Sequence, residues 1–106
     1  MEETMQAVIT IVVQRKDGAA VADAMLRAGA AGVTYYYARG SGMRQKLGFW
    51  GRLIEGEKQV VLAAAPEYAA EKILNSVIAE TGLDQPGQLF AYIQPASRVF
   101  GSLADN

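Results

Sequence analysis

An α+β fold built on a four-stranded antiparallel sheet is the architecture that this 106-residue sequence predicts. Three observations carry it. Four segments have the composition of strands, two helical segments fall between them in the order strand, helix, strand, strand, helix, strand, and one long irregular stretch separates the middle pair of strands.

Residues 5–14 (MQAVITIVVQ) are dense in Val and Ile and hold no helix breaker, as a strand covered on both faces would be. Asp17 is placed to cap a helix through Ala30, with Val21, Met25 and Leu26 on its apolar side and Gly29 or Gly32 available to end it. Residues 32–39 (GVTYYYAR), β-branched and aromatic, predict the second strand, and residues 58–65 (KQVVLAAA) resume extended structure. Pro66 suits a first helical position and Glu67 a first turn. Ala70, Ile73, Leu74, Val77 and Ile78 then recur at three-and-four spacing up to Gly82. Asp84-Gln85-Pro86-Gly87 is turn chemistry, and residues 88–94 (QLFAYIQ) alternate as a half-buried strand does. The order βαββαβ is that of a ferredoxin-like sandwich with both helices on one sheet face. The other face is then bare, and the Ile and Val of the first strand predict that further copies of the chain cover it.

A chain of this length fits one domain, and 51% apolar residues, 20% charged residues and a formal charge of -1 exclude disorder, a coiled coil and general nucleic-acid affinity. Zero Cys removes disulfides and thiolate metal sites, and zero His removes the commonest metal ligand and general base. Neither a metal nor a catalytic cofactor is therefore expected. Glu55, Glu57 and Asp84 are not spaced to single out a base, so an enzyme is not expected either. Residues 1–4 are acidic and the first apolar run stops at Val13, a pattern of neither a signal peptide nor a spanning helix; a cytoplasmic location is the expectation.

Between Arg39 and Lys58 lie five of the ten Lys and Arg and five of the eleven glycines, together with the only tryptophan. An irregular segment of this length in a small domain generally binds something. Glycine lets backbone N–H groups approach an anion, and Arg can hold phosphate oxygens with two hydrogen bonds, which marks Gly40, Gly42 and Arg44 as candidate anion-binding residues. Phe49 and Trp50, with Arg52 beside them, are candidates for docking a partner protein. Tyr35, Tyr36 and Tyr37 fit strand and subunit packing better than ligand stacking. Arg98, a lone cation in its stretch, fits either an anion or a cross-subunit salt bridge.

Several short elements recur in one order: Val12-Val13-Gln14 before a helix, Gly32-Val33-Thr34 opening a strand, Gly40-Ser41-Gly42-Met43-Arg44-Gln45-Lys46, Lys58, Ala65-Pro66, and Thr81-Gly82 followed by Gly87. In this order and spacing the chain resembles the PII and PII-like signalling proteins over about Val12 to Phe90. The resemblance implies a homotrimer with nucleotide sites between subunits. It also implies a T-loop at about 40–57, a B-loop at about 82–88 and a C-terminal tail over 95–106. By the same resemblance Thr34 lies beside an adenine; Gly42, Arg44 and Gln45 line phosphates; and Gly40, Lys58 and Ala64 belong to the same site. Gly87 and Gln88 of the adjacent subunit, with Arg98, would complete it. Phe49, Trp50 and Arg52 would meet the regulated partner, a membrane transporter or a carbon-metabolism enzyme.

The chain also departs from the family pattern. Met43 is inserted in the glycine-arginine-glutamine run, and the T-loop is shorter than in nitrogen-sensing members and holds no tyrosine, so uridylylation is not expected. Gln85, Pro86, Gly87 and Gln88 stand where the family offers glycine, aspartate, glycine and lysine, and Arg98 stands where it offers more than one cation. Fewer cations neutralise less of a triphosphate, so AMP or ADP is expected over ATP. The sequence is compatible with the carboxysome-associated branch, in which bicarbonate acts alongside an adenine nucleotide. The competing readings are a nitrogen-type regulator responding to ATP and ADP, and a constitutive trimeric adaptor.

Overall fold

The computed structural model describes residues 5–40 and 56–101. Its elements are β1 (Gln6–Gln14), α1 (Gly18–Arg27), β2 (Thr34–Gly40), β3 (Gly56–Pro66), α2 (Glu67–Thr81) and β4 (Leu89–Ala96). All strand pairs are antiparallel, in the order β2-β3-β1-β4. This is the ferredoxin-like βαββαβ arrangement that the sequence predicts.

The Val- and Ile-rich β1 lies in the interior of the sheet, paired to β3 on one side and β4 on the other. Its alternation decides the two faces. Ala7, Ile9, Ile11 and Val13 are fully buried beneath the helices, whereas Val8 and Val12 point to the opposite face and are half-buried. The core under the helices combines these residues with Val61, Ala63 and Ala65 of β3, Val21, Ala22, Ala24 and Met25 of α1, and Ala70, Ile73 and Val77 of α2. Burying each Val or Ile side chain there contributes about 1.5–3 kcal/mol.

Several boundaries differ from expectation for identifiable reasons. The chain enters α1 through one 3-10 turn, Arg15–Asp17, so Asp17 already has helical backbone angles (φ -100°, ψ -5°) and its carboxylate makes no capping bond. A side chain caps from extended geometry, which that turn removes. The helix ends at Arg27 rather than Ala30, with Gly29 just beyond it at φ 113°. Leu26, expected on the apolar side, is half exposed because Val21 and Met25, four apart, take the core-facing positions. Pro66 is the last residue of β3, extended at φ -56° and ψ 140°, and α2 opens at Glu67, whose N–H donates to the Met5 carbonyl at 2.7 Å. At its other end α2 closes as the sequence predicts. Gly82 is left-handed (φ 67°), and its N–H reaches the Ile78 carbonyl at 2.8 Å. β4 runs on through Pro95, tolerable because β4 is an edge strand.

Candidate functional site

The strand register places Thr34, Gly40, Lys58 and Ala64 in rows across the sheet. On the face away from the helices, Thr34, Leu62, Thr10 and Tyr92 form one row across the sheet, and Tyr36, Val60, Val12 and Phe90 form the next. Ala38, Lys58 and Gln14 follow, closest to the β2–β3 connection. Ala64 lies on the same face further from that connection, opposite Val8. This face is apolar and open: Phe90 is 64% exposed, Tyr36 50% and Tyr92 43%, with the Phe90 and Tyr92 rings 5.8 Å apart and tilted by 52°.

One end of the sheet gathers most of the described candidates. Gly40 and Gly56 pair there as the last residues of β2 and the first of β3, so the segment between them leaves and re-enters at a single point. Lys58, half-buried, is one row in from Glu57 and directly opposite both Ala38 and Gln14. Gln85 to Gln88 form a turn at the same end, immediately before β4. Pro86 at its second position, Gly87 at its third with φ 80°, and the Gln88 N–H to Gln85 carbonyl bond of 3.0 Å define a type II turn. The Gln14 side-chain amide Nε2 donates to the Gly87 carbonyl at 3.1 Å, fastening this turn to the end of β1.

The helix-side face of this end carries a second cluster. Arg15 lies 3.0 Å from Glu57 Oε1 and 5.2 Å above the Tyr37 ring, so the residue after β1 grips both strands that root the β2–β3 connection. Arg39 pairs with Glu57 in the strand register, so a second cation borders this ion pair. Arg15 and Glu57 gave no sequence signal beyond their charge. Gln14 appeared only as one letter of a short motif, because its partner is remote in the chain.

Thr34 and Ala64 share the open face with Lys58 but lie several residues away along the strands. Arg98 is exposed and follows the far end of β4, where Ala96 pairs with Gln6. A single chain therefore brings Gly40, Lys58, Gly87 and Gln88 to one end and leaves Arg98 at the other. Gly42, Arg44, Gln45, Phe49, Trp50 and Arg52 lie outside the described residues. No described helix is long and apolar enough to cross a membrane. The ion pair that shifts titration, Arg27 with Glu80, joins the two helices: the hydrogen bond from Arg27 holds the Glu80 carboxyl below its ordinary range and raises Arg27.

A two-layer sandwich with this element order and strand order, and with its β2–β3 connection and pre-β4 turn at one end, is a ferredoxin-like domain. The chain belongs to the Nitrogen regulatory protein P-II family, whose profile matches residues 6–100. Among solved structures, it is similar to Arabidopsis thaliana PII bound to citrate, with a TM-score of 0.66 at 19% identity, covering 90% of this chain and 80% of that one. It is also similar to a PII-like signalling protein of Thermus thermophilus, with a TM-score of 0.64 at 23% identity over 91% of both chains. A NIF3-related protein of Bacillus cereus shares the fold at a TM-score of 0.73 and 12% identity; 92% of this chain is covered, yet it spans only 27% of that protein's length. No curated protein matches the sequence.

Proposed function

We propose that the chain is a non-enzymatic signalling protein that assembles as a homotrimer, binds an adenine nucleotide between subunits, and controls a partner protein through residues 40–57. AMP or ADP is preferred over ATP, because Gln85, Pro86 and Gln88 bring no cation to the turn. The observation that carries this reading is the separation of Gly87 from Arg98. They flank the eight residues of β4, roughly 25 Å of extended chain. No single small anion touches both within one chain, whereas two chains side by side can offer one residue each. The exposed Tyr36, Phe90 and Tyr92 supply apolar surface for such an assembly. The citrate on the Arabidopsis protein supports an anion site in general terms, since citrate too is multiply charged.

A ligand bound at the root of the 40–57 segment biases its conformation only by as much as it binds one conformation better than another. The partner is then chosen by the favoured conformation, a transporter or an enzyme of carbon metabolism, with bicarbonate as a second effector. Calorimetric titration with AMP, ADP and ATP, each with and without bicarbonate, tests the reading alongside the solution mass from light scattering. The expected result is a species of three chain masses that binds AMP or ADP more tightly than ATP. Folded protein giving no heat with all three nucleotides would overturn it.

A further inference from the structure

The Gly87–Gln88 peptide unit is held at both ends. Its carbonyl accepts from Gln14 Nε2 at 3.1 Å, and its N–H donates to the Gln85 carbonyl at 3.0 Å. Gly87 itself is left-handed at φ 80°, a conformation that glycine leaves as readily as it enters. A turn hydrogen bond alone does not stop such a glycine from reorienting, because turns of this kind often lack that bond. The Gln14 amide adds a second restraint from outside the turn. Gln14 is itself the last residue of β1, half-buried and paired with Lys58 of β3.

We infer that Gln14 is a positioning residue for the nucleotide site: it fixes the Gly87 peptide so that the turn presents one backbone arrangement to the anion. The inference rests on the nucleotide-binding reading above. Gln14 touches the turn rather than the ligand, so its effect is entropic. Without it, binding must also select one of several turn conformations, and apparent affinity falls by the fraction in the competent one. The same restraint keeps the turn in register with Lys58, the neighbouring cation of that sheet end.

The test uses the full chain and its Gln14→Met variant, which keeps the side-chain length and removes the donor. Gln14→Glu, which sets an acceptor against the Gly87 carbonyl, is the second variant. Melting temperature and solution mass serve as controls. In ligand-free Gln14→Met, hydrogen exchange of the Gln88 amide is expected to quicken about 10-fold while the β1 amides do not change, and ADP affinity is expected to fall about 10-fold. Gln14→Glu is expected to lose at least as much. A wild type that binds ADP alongside an equally tight Gln14→Met variant, or unchanged exchange at Gln88, overturns this inference alone. A wild type silent towards AMP, ADP and ATP removes the nucleotide reading and this inference together.

Discussion

The Gln59 side-chain amide occupies the space that a β-carbon on Gly18 would need. Its Oε1 lies 1.3 Å from that position, its Cδ 2.2 Å and its Cγ 2.8 Å. Gln59 is 4% exposed and lies on the helix side of β3, so the first residue of α1 is pressed against a buried amide. Gly18→Ala sets two effects against each other. Alanine gains up to about 1 kcal/mol of helix propensity, whereas displacing a packed side chain costs about 1–3 kcal/mol. The displacement prevails because Gln59 is enclosed along most of its length. Gly18→Ala is expected to lose about 1–2 kcal/mol in urea denaturation, and Gly18→Ala with Gln59→Ala to lose less than the two single changes together. A Gly18→Ala protein as stable as wild type would contradict the packing.

Ile11→Ala and Leu26→Ala separate the core from its imitation. Ile11 is fully buried at the centre of β1, and its truncation is expected to cost about 2–5 kcal/mol. Leu26 is 50% exposed, and Leu26→Ala is expected to stay within about 0.5 kcal/mol, both by denaturant titration.

These residues also show where the sequence is legible. Val21, Met25, Ala70, Ile73 and Val77 announce their burial through helical spacing, and β1 announces its interior place through its density of Val and Ile. Leu26 misleads because it adjoins the true face, and composition cannot tell the edge of an apolar stripe from its middle. Asp17 misleads because a 3-10 turn upstream changes its backbone angles. The bonds from Gln14 to Gly87 and from Arg15 to Glu57, like the packing of Gln59 on Gly18, join residues far apart in sequence. Only the strand register brings them together.

The Arg15 cluster is expected to act as weakly coupled surface chemistry. Side chains of Arg15 and Glu57 are 62% and 44% exposed, so their pair contributes about 0.2–1 kcal/mol, reduced in molar salt. A double-mutant cycle of Arg15→Ala with Tyr37→Leu is expected to return about 0.5–1 kcal/mol of coupling for the cation over the ring. Zero coupling in low salt would dissolve the cluster.

Glu80 ties stability to acid. Its hydrogen bond from Arg27 lowers the folded carboxyl below the ordinary glutamate value, so the folded state binds fewer protons than the unfolded one across that interval. The contribution is complete above the ordinary glutamate value and is lost as pH falls through the lowered folded value. A small melting-temperature gap between wild type and Glu80→Gln is expected at neutral pH, closing in strong acid. Both groups are solvent-exposed, so the gap should also shrink with salt. A gap that widens in acid would reverse the assignment.

The open sheet face makes the strongest demand on its surroundings. Val12 sits at its middle, between Val60 and Phe90 in the same row, and is half-buried in one chain. A carboxylate there can still reach water in an isolated chain, so Val12→Glu should leave the fold standing. Within an assembly that covers this face, the same carboxylate would be buried without a partner, and that costs far more than the apolar contact it replaces. Val12→Glu is therefore expected to reduce the solution mass from three chains to one in light scattering, with the far-ultraviolet circular dichroism retained. Phe90→Ser, which removes the most exposed ring of the face while adding no charge, should weaken assembly in a concentration-dependent way. If both variants keep the wild-type mass, the subunits meet through some other surface, and the placement of Gly87 against a neighbour's ligand loses its geometric basis.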